Sequence, residues 1–289
     1  MALFGLLAAS CGSDDDAVDD PALADSSDGT PNAATERPAT PATDTATEAA
    51  TDTATDAATD AAPTASGEVV VLAAASLTEA FTELGDAFTA ANPEASVTFS
   101  FAASSELVAQ IIEGAPADVF ASADVSNMTK LADAGATASE STVFATNLSE
   151  IIVAPGNPLG ITSVDDLAND DLILVTCAPE VPCGTYASQI FANAGVEVTP
   201  DSYEGNVKAV VTKVVLGEAD AGIAYATDVM AAGDDAVGVE IPPELNVIAA
   251  YPIVVTTEAP NGVGGQAFID FVLSDAGQAM LATQGFTSP

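Results

Sequence analysis

The sequence predicts an α/β fold in which a mostly parallel sheet is covered by helices on both faces. From residue 68 onward, short apolar or alternating runs of strand length recur. Nearly every run is followed by a segment with the apolar spacing of an amphipathic helix. Strands and helices that alternate in this way need crossover connections, which favour parallel pairing. About 220 residues take part, enough for one such domain or two small ones.

The first strand–helix unit shows the pattern most clearly. Residues 68–75 (EVVVLAAA) are an apolar run of strand length, and Ser76 to Glu79 have the spacing of a capping box, which predicts a helix start. The next apolar residues recur at offsets of four, three and four, on one helical face: Leu77, Phe81, Leu84 and Phe88. The helix is expected to end near Asn92, which precedes a proline.

The same alternation continues to the C-terminus. Further strands are predicted at 95–101, 118–121, 148–154, 172–176, 221–225, 237–241 and 247–256. Further helices are predicted at 106–113, 125–135, 163–167, 186–194, 206–217, 266–273 and 276–283. The glycine-rich residues 262–265 lack the GxxxxGK[ST] pattern of a phosphate-binding loop and are expected to form a surface turn.

The charge of the chain argues against several classes of function. It has 43 acidic residues, four basic residues and no histidine, which gives a formal net charge of -39 at pH 7. Four dispersed cations cannot form the basic footprint of a nucleic-acid-binding protein. Without histidine there is no Ser-His-Asp or Cys-His catalytic centre and no imidazole zinc site. The sequence therefore predicts neither an enzyme nor a nucleic-acid partner.

The first 67 residues are expected to lie outside the fold. Residues 1–11 are a short apolar run ending in Leu-Ala-Ala-Ser-Cys, which resembles the lipobox of bacterial lipoproteins. That resemblance implies cleavage before Cys11 and lipid on its thiol; an incidental cysteine is the alternative. Residues 12–67 hold 13 acidic residues and only Arg37 as a cation, in a sequence rich in Ala, Thr, Asp and Pro. This composition predicts a disordered acidic tether.

Two cysteines remain, Cys177 and Cys183, six positions apart. In an exported protein, an even pair at short spacing is more often a disulfide than two free thiols. Closing so small a loop stabilises the fold by about 2 kcal/mol, so we expect the bridge mainly to shape the loop. A metal site is not indicated, because no other soft ligands lie nearby in the sequence.

Several predicted turns present hydrogen-bond donors where a strand ends and a helix begins. Ligands of parallel α/β sheets bind at this edge, and the free N–H groups of a helix start attract anions. Ser76 and Ser104 lie at two such turns, Cys183 and Val207 at two more, and Tyr225 ends a strand. The five positions can converge without a positive side chain. A plain capping role for each serine is the alternative.

Five sequence blocks in order carry a family resemblance: AAASLT at 73–78, SFAASS at 100–105, GAPADVFASAD at 114–124, VPCG at 181–184 and GIAYATD at 222–228. Together they resemble the periplasmic molybdate-binding proteins of bacterial molybdate ABC transporters. The resemblance implies a two-lobed, type II periplasmic-binding-protein fold with a mostly parallel sheet and flanking helices in each lobe. One lobe would combine 68–148 with 248–289, and the other would be 149–247.

The resemblance also implies a function and a set of ligand-binding residues. The chain would bind molybdate, and also tungstate, in a cleft between the lobes, without a cofactor and without direct coordination of the metal by the protein. Ser76 and Ser104 would donate hydroxyl and backbone N–H bonds, Cys183 and Val207 backbone N–H bonds, and Tyr225 its phenol. The family often has alanine at the position of Cys183, where a bridge to Cys177 would hold the amide in place.

The implied partners are the membrane permease and ATPase of an ABC importer. The implied location is outside the cytoplasm, with the monomeric chain anchored by lipid on Cys11. Three alternatives remain: the same fold with another oxyanion such as sulfate or phosphate, a cation site built on carboxylates such as Asp124 and Asp228, or a structural lipoprotein without a ligand. For these two carboxylates, helix capping or solvation is the expected role.

Overall fold

The structure, a computed structural model, describes residues 65–289. The predicted signal segment, the lipidation position Cys11 and the predicted tether up to residue 64 lie outside the described residues. Within the described part, the strands form two five-stranded sheets, each flanked by helices. Each sheet with its helices is a lobe, and the predicted two-lobed α/β architecture is confirmed.

The first lobe is built on a sheet with a single reversed strand. In spatial order its strands are β2 (Ala95–Ala102), β1 (Gly67–Ala74), β3 (Val119–Ala121), β10 (Ala249–Val255) and β4 (Thr142–Asn147). β1 pairs in parallel with β2 and β3, whereas β10 pairs antiparallel with β3 and β4. The flanking helices are α1 (Thr78–Ala91), α2 (Ser104–Ile112), α3 (Val125–Asp133), α7 (Gly262–Leu273) and α8 (Asp275–Thr283).

The second lobe repeats this arrangement. Its strands in spatial order are β7 (Ser202–Glu204), β6 (Leu174–Cys177), β8 (Ala221–Tyr225), β5 (Ser149–Val153) and β9 (Val237–Glu240). β6 pairs in parallel with β7 and β8, and β5 is the reversed strand. Its helices are α4 (Pro182–Ala194), α5 (Val207–Val215) and α6 (Ala226–Ala232). Four strands of each sheet point the same way, as a mostly parallel sheet requires.

The chain crosses between the lobes twice. It leaves the first sheet after β4 and enters the second at β5, with only Leu148 between the two strands. It returns from β9 to β10 through residues 241–248. In both sheets the reversed strand is therefore the first strand after a crossing.

A phenylalanine cluster packs the helices onto the first sheet. The rings of Phe81 and Phe88 in α1 both contact Phe268 in α7, with centroids 5.8 Å and 5.4 Å apart in near-perpendicular orientation. Phe99 of β2 adds a further ring 6.0 Å from Phe268. All but Phe99 are buried, as the predicted apolar face of α1 requires. Gly85 lies against the Phe99 ring, where a Cβ would collide with it.

Two predicted features of the fold are wrong. The capping box at Ser76 does not form, because a 3-10 turn (Ala75–Leu77) precedes α1 and the Ser76 hydroxyl bonds elsewhere. Residues 262–265 are not a surface turn but the first turn of α7, and Gly264 and Gly265 are buried against the first sheet. Small residues are needed there because the helix approaches the strands closely.

Three short elements were not predicted: β4, β7 and α6. The strand β7 has three residues and the helix α6 has seven, too few to establish a period. In the described part of the chain, no helix is long and apolar enough to cross a membrane.

Candidate binding cavity between the lobes

The five residues predicted as hydrogen-bond donors line one small cavity between the lobes. Ser76 and Ser104 come from the first lobe; Cys183, Val207 and Tyr225 come from the second. The rest of the lining consists of five alanines, a proline and an asparagine: Ala74, Ala75, Ala102, Ala103, Ala123, Pro182 and Asn206. The cavity is small and has room for a group of a few heavy atoms.

Ser76 lies in the 3-10 turn that follows β1 and is 4% exposed. Its Oγ is 2.9 Å from the hydroxyl of Tyr251 in β10. This bond fixes the serine side chain at the cavity wall. Because a hydroxyl can donate one hydrogen bond and accept others, Ser76 can still contact a molecule in the cavity.

Ser104 is the first residue of α2 and is 1% exposed. Its Oγ accepts a hydrogen bond from the backbone N–H of Ala123, at 3.0 Å. Since this bond uses a lone pair of the oxygen and not the hydroxyl proton, the Ser104 proton is available to the cavity. The predicted capping role does not apply, because the residue before α2 is Ala103 and no side chain caps it.

Cys183 and Val207 contribute the first turns of two helices. Cys183 is the second residue of α4, and Val207 is the first residue of α5, capped by the Asn206 side chain through the Ala209 N–H at 3.1 Å. The first N–H groups of a helix have no partner within it, and the helix dipole adds positive potential there. Both helix starts therefore offer amides suited to an anion.

A disulfide joins Cys177, the last residue of β6, to Cys183, with the Cα atoms 5.6 Å apart. The predicted bridge is confirmed, and it ties the start of α4 to the end of the strand before it. Gly184 follows directly, where a Cβ would collide with the carbonyl oxygen of Ala178. The tight VPCG turn therefore needs glycine at this position.

Tyr225 ends β8 and is 1% exposed, yet its hydroxyl has no hydrogen-bond partner among residues 65–289. A buried polar group without a partner costs about 1 to 3 kcal/mol, and such groups are rare. Burial raises the pKa of the Tyr225 hydroxyl well above its ordinary value, and Tyr251 and Tyr186 add to the effect. The phenol stays protonated and is a donor that lacks an acceptor.

Among residues 65–289, no charged side chain lines the cavity. Lys208 follows the lining residue Val207 in the sequence, and its ammonium lies 2.6 Å from Glu79 and 2.9 Å from Asp228. Burial lowers the pKa of Lys208, but the two carboxylates outweigh it and the pKa is raised. Burial also raises the pKa of Asp228. Asp228 is not solvated as expected, because its side chain is buried and ion-paired.

Asp124 has the predicted capping role, since its carboxylate accepts the N–H of Asn127 at the start of α3. Across residues 65–289, no three side chains of the metal-ligating types are grouped to hold a metal ion. The cavity itself offers donors rather than carboxylates.

Three residues next to the cavity were not identified from the sequence. Tyr251 contacts Ser76, Asn147 points its amide at Tyr251, and Tyr186 donates its hydroxyl to the Ala123 carbonyl at 3.2 Å. All three are buried. The one available signal was the presence of polar groups within segments predicted to be buried, such as tyrosine in the strand AAYPIVV.

Two lobes joined by two crossings, with a small cavity of converging hydrogen-bond donors between them, define a solute-binding protein. The sequence profile of the bacterial extracellular solute-binding proteins matches residues 69–287, and the chain belongs to this family. The family consists of extracytoplasmic binding proteins, so the chain is not an enzyme. Its fold is the type II periplasmic-binding-protein fold.

Two curated relatives share most of the chain. The molybdate-binding protein ModA of Mycobacterium bovis is 41% identical over 221 residues, which are 76% of this chain and 85% of the relative. The molybdate-binding protein ModA of Escherichia coli is 30% identical over 233 residues, with 76% of this chain and 89% of the relative covered.

Solved structures have the same fold. The substrate-binding domain of a putative molybdenum ABC transporter from Clostridium difficile is 26% identical with a TM-score of 0.59, covering 77% of this chain and 99% of that one. The sulfate-binding protein SubI of Mycobacterium tuberculosis has a TM-score of 0.71 at 19% identity, covering 76% of this chain and 86% of that one. The second likeness concerns the fold alone.

Proposed function

We propose that this chain is the solute-binding component of an ABC importer and that it binds molybdate in the cavity between the lobes. The observation that carries the proposal is the buried Tyr225 hydroxyl, a donor that lines the cavity and has no acceptor among the described residues. An oxyanion supplies that acceptor. The relatives whose names state molybdate binding support the choice of anion.

The proposed chemistry is binding of a tetrahedral dianion by neutral donors. Ser76, Ser104 and Tyr225 donate hydroxyl protons, and Cys183 and Val207 donate backbone N–H groups. A hydrogen bond to a charged acceptor contributes about 1.5 to 3 kcal/mol. Five or more of them, after ordering costs of several kcal/mol, support micromolar or tighter binding.

The donor set favours an oxyanion over a cation. A divalent cation needs several oxygen ligands, above all carboxylates, and no carboxylate of the described residues lines the cavity. Asp228, a buried carboxylate, is paired with Lys208 of α5. A cavity with room for only a few heavy atoms also argues against sugars, amino acids and peptides.

We extend the proposal to tungstate, which has the same charge and nearly the same size as molybdate. Sulfate and phosphate are the competing oxyanions. A cavity fitted to the larger anion holds sulfate loosely. Phosphate carries a proton at neutral pH, and a hydroxyl that accepts this proton turns its own proton away from the anion, so that a donor bond is lost.

The proposal includes the setting of the protein. One lobe is taken as residues 68–148 with 248–289, and the other as residues 149–247. The closed lobes would present one surface to a membrane permease and its ATPase. The chain acts as a monomer. Cleavage before Cys11 and lipid on its thiol would anchor it outside the cytoplasm, in line with the lipobox-like sequence at residues 7–11.

A panel of thermal unfolding curves tests the function. The full chain is heated with molybdate, tungstate, sulfate, phosphate or divalent cations. A ligand that binds only the folded state, at about a hundred times its dissociation constant, should raise the midpoint by about 5 to 10 °C. We expect this shift for molybdate and tungstate only. A shift with divalent cations and none with any oxyanion would overturn the proposal.

A further inference from the structure

Tyr251 lies behind the cavity wall and contacts one of the proposed ligand groups. It is fully buried in β10, and its hydroxyl has two polar neighbours among the described residues. One is Ser76 Oγ at 2.9 Å, and the other is the side-chain amide nitrogen of Asn147 at 3.5 Å. The roles of these two neighbours decide which way the Tyr251 proton points.

Towards Tyr251, the side-chain amide of Asn147 can act only as a hydrogen-bond donor. Its Oδ1 accepts the Leu148 N–H at 2.9 Å, which fixes the side-chain orientation. Its Nδ2 also donates to Thr227 Oγ1 at 2.8 Å, in the second lobe. The amide nitrogen, a group with two protons and no free lone pair, therefore faces the Tyr251 oxygen.

This arrangement sets the direction of the bond between Tyr251 and Ser76. If Ser76 donated to Tyr251, the Tyr251 proton would face the Asn147 amide protons and remain buried without an acceptor, at a cost of about 1 to 3 kcal/mol. If Tyr251 donates to Ser76, the buried Tyr251 proton has an acceptor, and the proton without a protein partner is that of Ser76, which lines the cavity. The Ser76 oxygen then acts as the acceptor, and its own proton points away from Tyr251, into the cavity.

Ser104 is held in the same sense by a different group. Its oxygen accepts the Ala123 N–H at 3.0 Å, and a backbone N–H can only donate. Its proton is likewise directed to the cavity. Tyr225, whose hydroxyl has no partner among residues 65–289, supplies a third free proton.

We propose that Tyr251, oriented by Asn147, is a positioning residue that locks the Ser76 hydroxyl as a donor and so makes the cavity select fully deprotonated oxyanions. The inference rests on the proposed function and deepens it. An anion that carries a proton must place that proton against a hydroxyl free to accept it. Ser76 and Ser104 each keep a second lone pair, but using it for the anion's proton turns the serine's own proton away from the anion and loses a donor bond.

Tyr251→Phe tests the inference, because it removes the lock and keeps the ring. The probes are molybdate, which is fully deprotonated at neutral pH, and micromolar vanadate, a monomeric tetrahedral anion of similar size that carries protons. Titration calorimetry of the full chain measures both. We expect molybdate binding to weaken about tenfold, as for one weakened charge-assisted bond, while vanadate binding is kept or improved. The vanadate-to-molybdate affinity ratio rises accordingly.

Two further comparisons keep the test decisive. In the Ser76→Ala background, Tyr251→Phe should leave the ratio unchanged, since the hydroxyl that it orients is gone. Asn147→Leu should raise the ratio as Tyr251→Phe does, and it serves if that variant does not fold. Tyr186→Phe is the matched control, because it removes a buried tyrosine hydroxyl that donates to the Ala123 carbonyl. It should leave the ratio unchanged.

The outcomes separate this inference from the proposed function. If the wild-type chain binds molybdate and the ratio is the same in Tyr251→Phe, in Asn147→Leu and in the wild type, the positioning role is wrong and the function stands. If the wild-type chain binds neither anion, the proposed function fails and this inference fails with it.

Discussion

The Nζ atom of Lys208 lies 2.6 Å from Oε2 of Glu79, and this contact joins the two lobes. Lys208 is the second residue of α5 in the second lobe, next to Val207 of the cavity, and Glu79 lies in the first turn of α1 in the first lobe. The same ammonium lies 2.9 Å from Asp228, whose side chain is fully buried. A lysine that is held within its own lobe by Asp228 therefore reaches across to the other lobe. The pair can form only when the lobes are together.

Glu79→Gln should make molybdate dissociate faster, because the closed arrangement loses an ion pair that the open arrangement does not have. Glu79 is 44% exposed on its side chain, so the pair is worth about 0.2 to 1 kcal/mol. Stopped-flow dissociation should be about two to five times faster, and the difference should shrink at high salt. Glu83→Gln is the control, since Glu83 is also on α1 but contacts Gln284 of its own lobe. Equal rates for both variants would contradict a role in closure.

Tyr225→Phe should have opposite effects on affinity and on stability. Molybdate binding should weaken by about tenfold to a hundredfold, because a charge-assisted hydrogen bond is lost. The ligand-free protein should be at least as stable as the wild type, because the hydroxyl that is removed has no partner among the described residues. Calorimetric titration and urea unfolding measure the two effects. A variant that loses stability and keeps its affinity would show that the hydroxyl is structural.

Ser104→Ala should weaken molybdate binding about tenfold or more and also lower stability. The substitution leaves the buried Ala123 N–H without its acceptor, which costs about 1 to 3 kcal/mol of the free energy of unfolding. Ser76→Ala should behave alike, because Tyr251 loses its acceptor. The neighbouring Ser105→Ala is the control and should change neither quantity. Calorimetry that returned wild-type affinity for both Ser76→Ala and Ser104→Ala would remove these residues from the site.

Glu150 should make the folded state less stable as the pH rises. It lies directly opposite Glu240 in the antiparallel pair of β5 and β9, and burial together with the Glu240 charge raises the pKa of Glu150. The folded state then binds more protons than the unfolded state just above the ordinary glutamate pKa. Stability therefore falls as the pH rises from that value through the raised pKa, and it is constant above it.

Glu150→Gln should remove this dependence and stabilise the protein at neutral pH by about 0.2 to 1 kcal/mol, the cost of like charges paired across strands. Urea unfolding between about pH 4 and pH 8, the range in which this carboxyl loses its proton, measures the change in stability. Glu240→Gln should give a similar gain. Lower stability at neutral pH in both variants would mean that the carboxylates stabilise this edge.

Much of the fold could be predicted from the sequence, because local pattern and topology suffice for it. The apolar spacing of this segment predicted that Leu77, just before α1, and Phe81, Leu84 and Phe88 within it share one face, and all four are buried. The five donor positions could be expected to meet, because the strand ends of parallel sheets lie at one edge. The cavity between the lobes brings them together as predicted.

What the sequence did not predict depends on pairs that are far apart in the chain. Ser76 and Tyr251 are 175 positions apart, and Lys208 and Glu79 are 129 apart. No local pattern specifies such partners. The predicted capping box at Ser76 failed for the same reason, since the distant Tyr251 hydroxyl binds the serine. An aspartate such as Asp228 is typical of the first turn of a helix, and only the tertiary structure shows that it is buried beside Lys208.

Calorimetric titration of the full chain with molybdate and with sulfate, under the same conditions, tests the central claim most directly. We predict saturable binding of one molybdate per chain, with a dissociation constant in the micromolar range or below, and much weaker binding of sulfate. Absence of saturable molybdate binding, or tighter binding of sulfate than of molybdate, would contradict it.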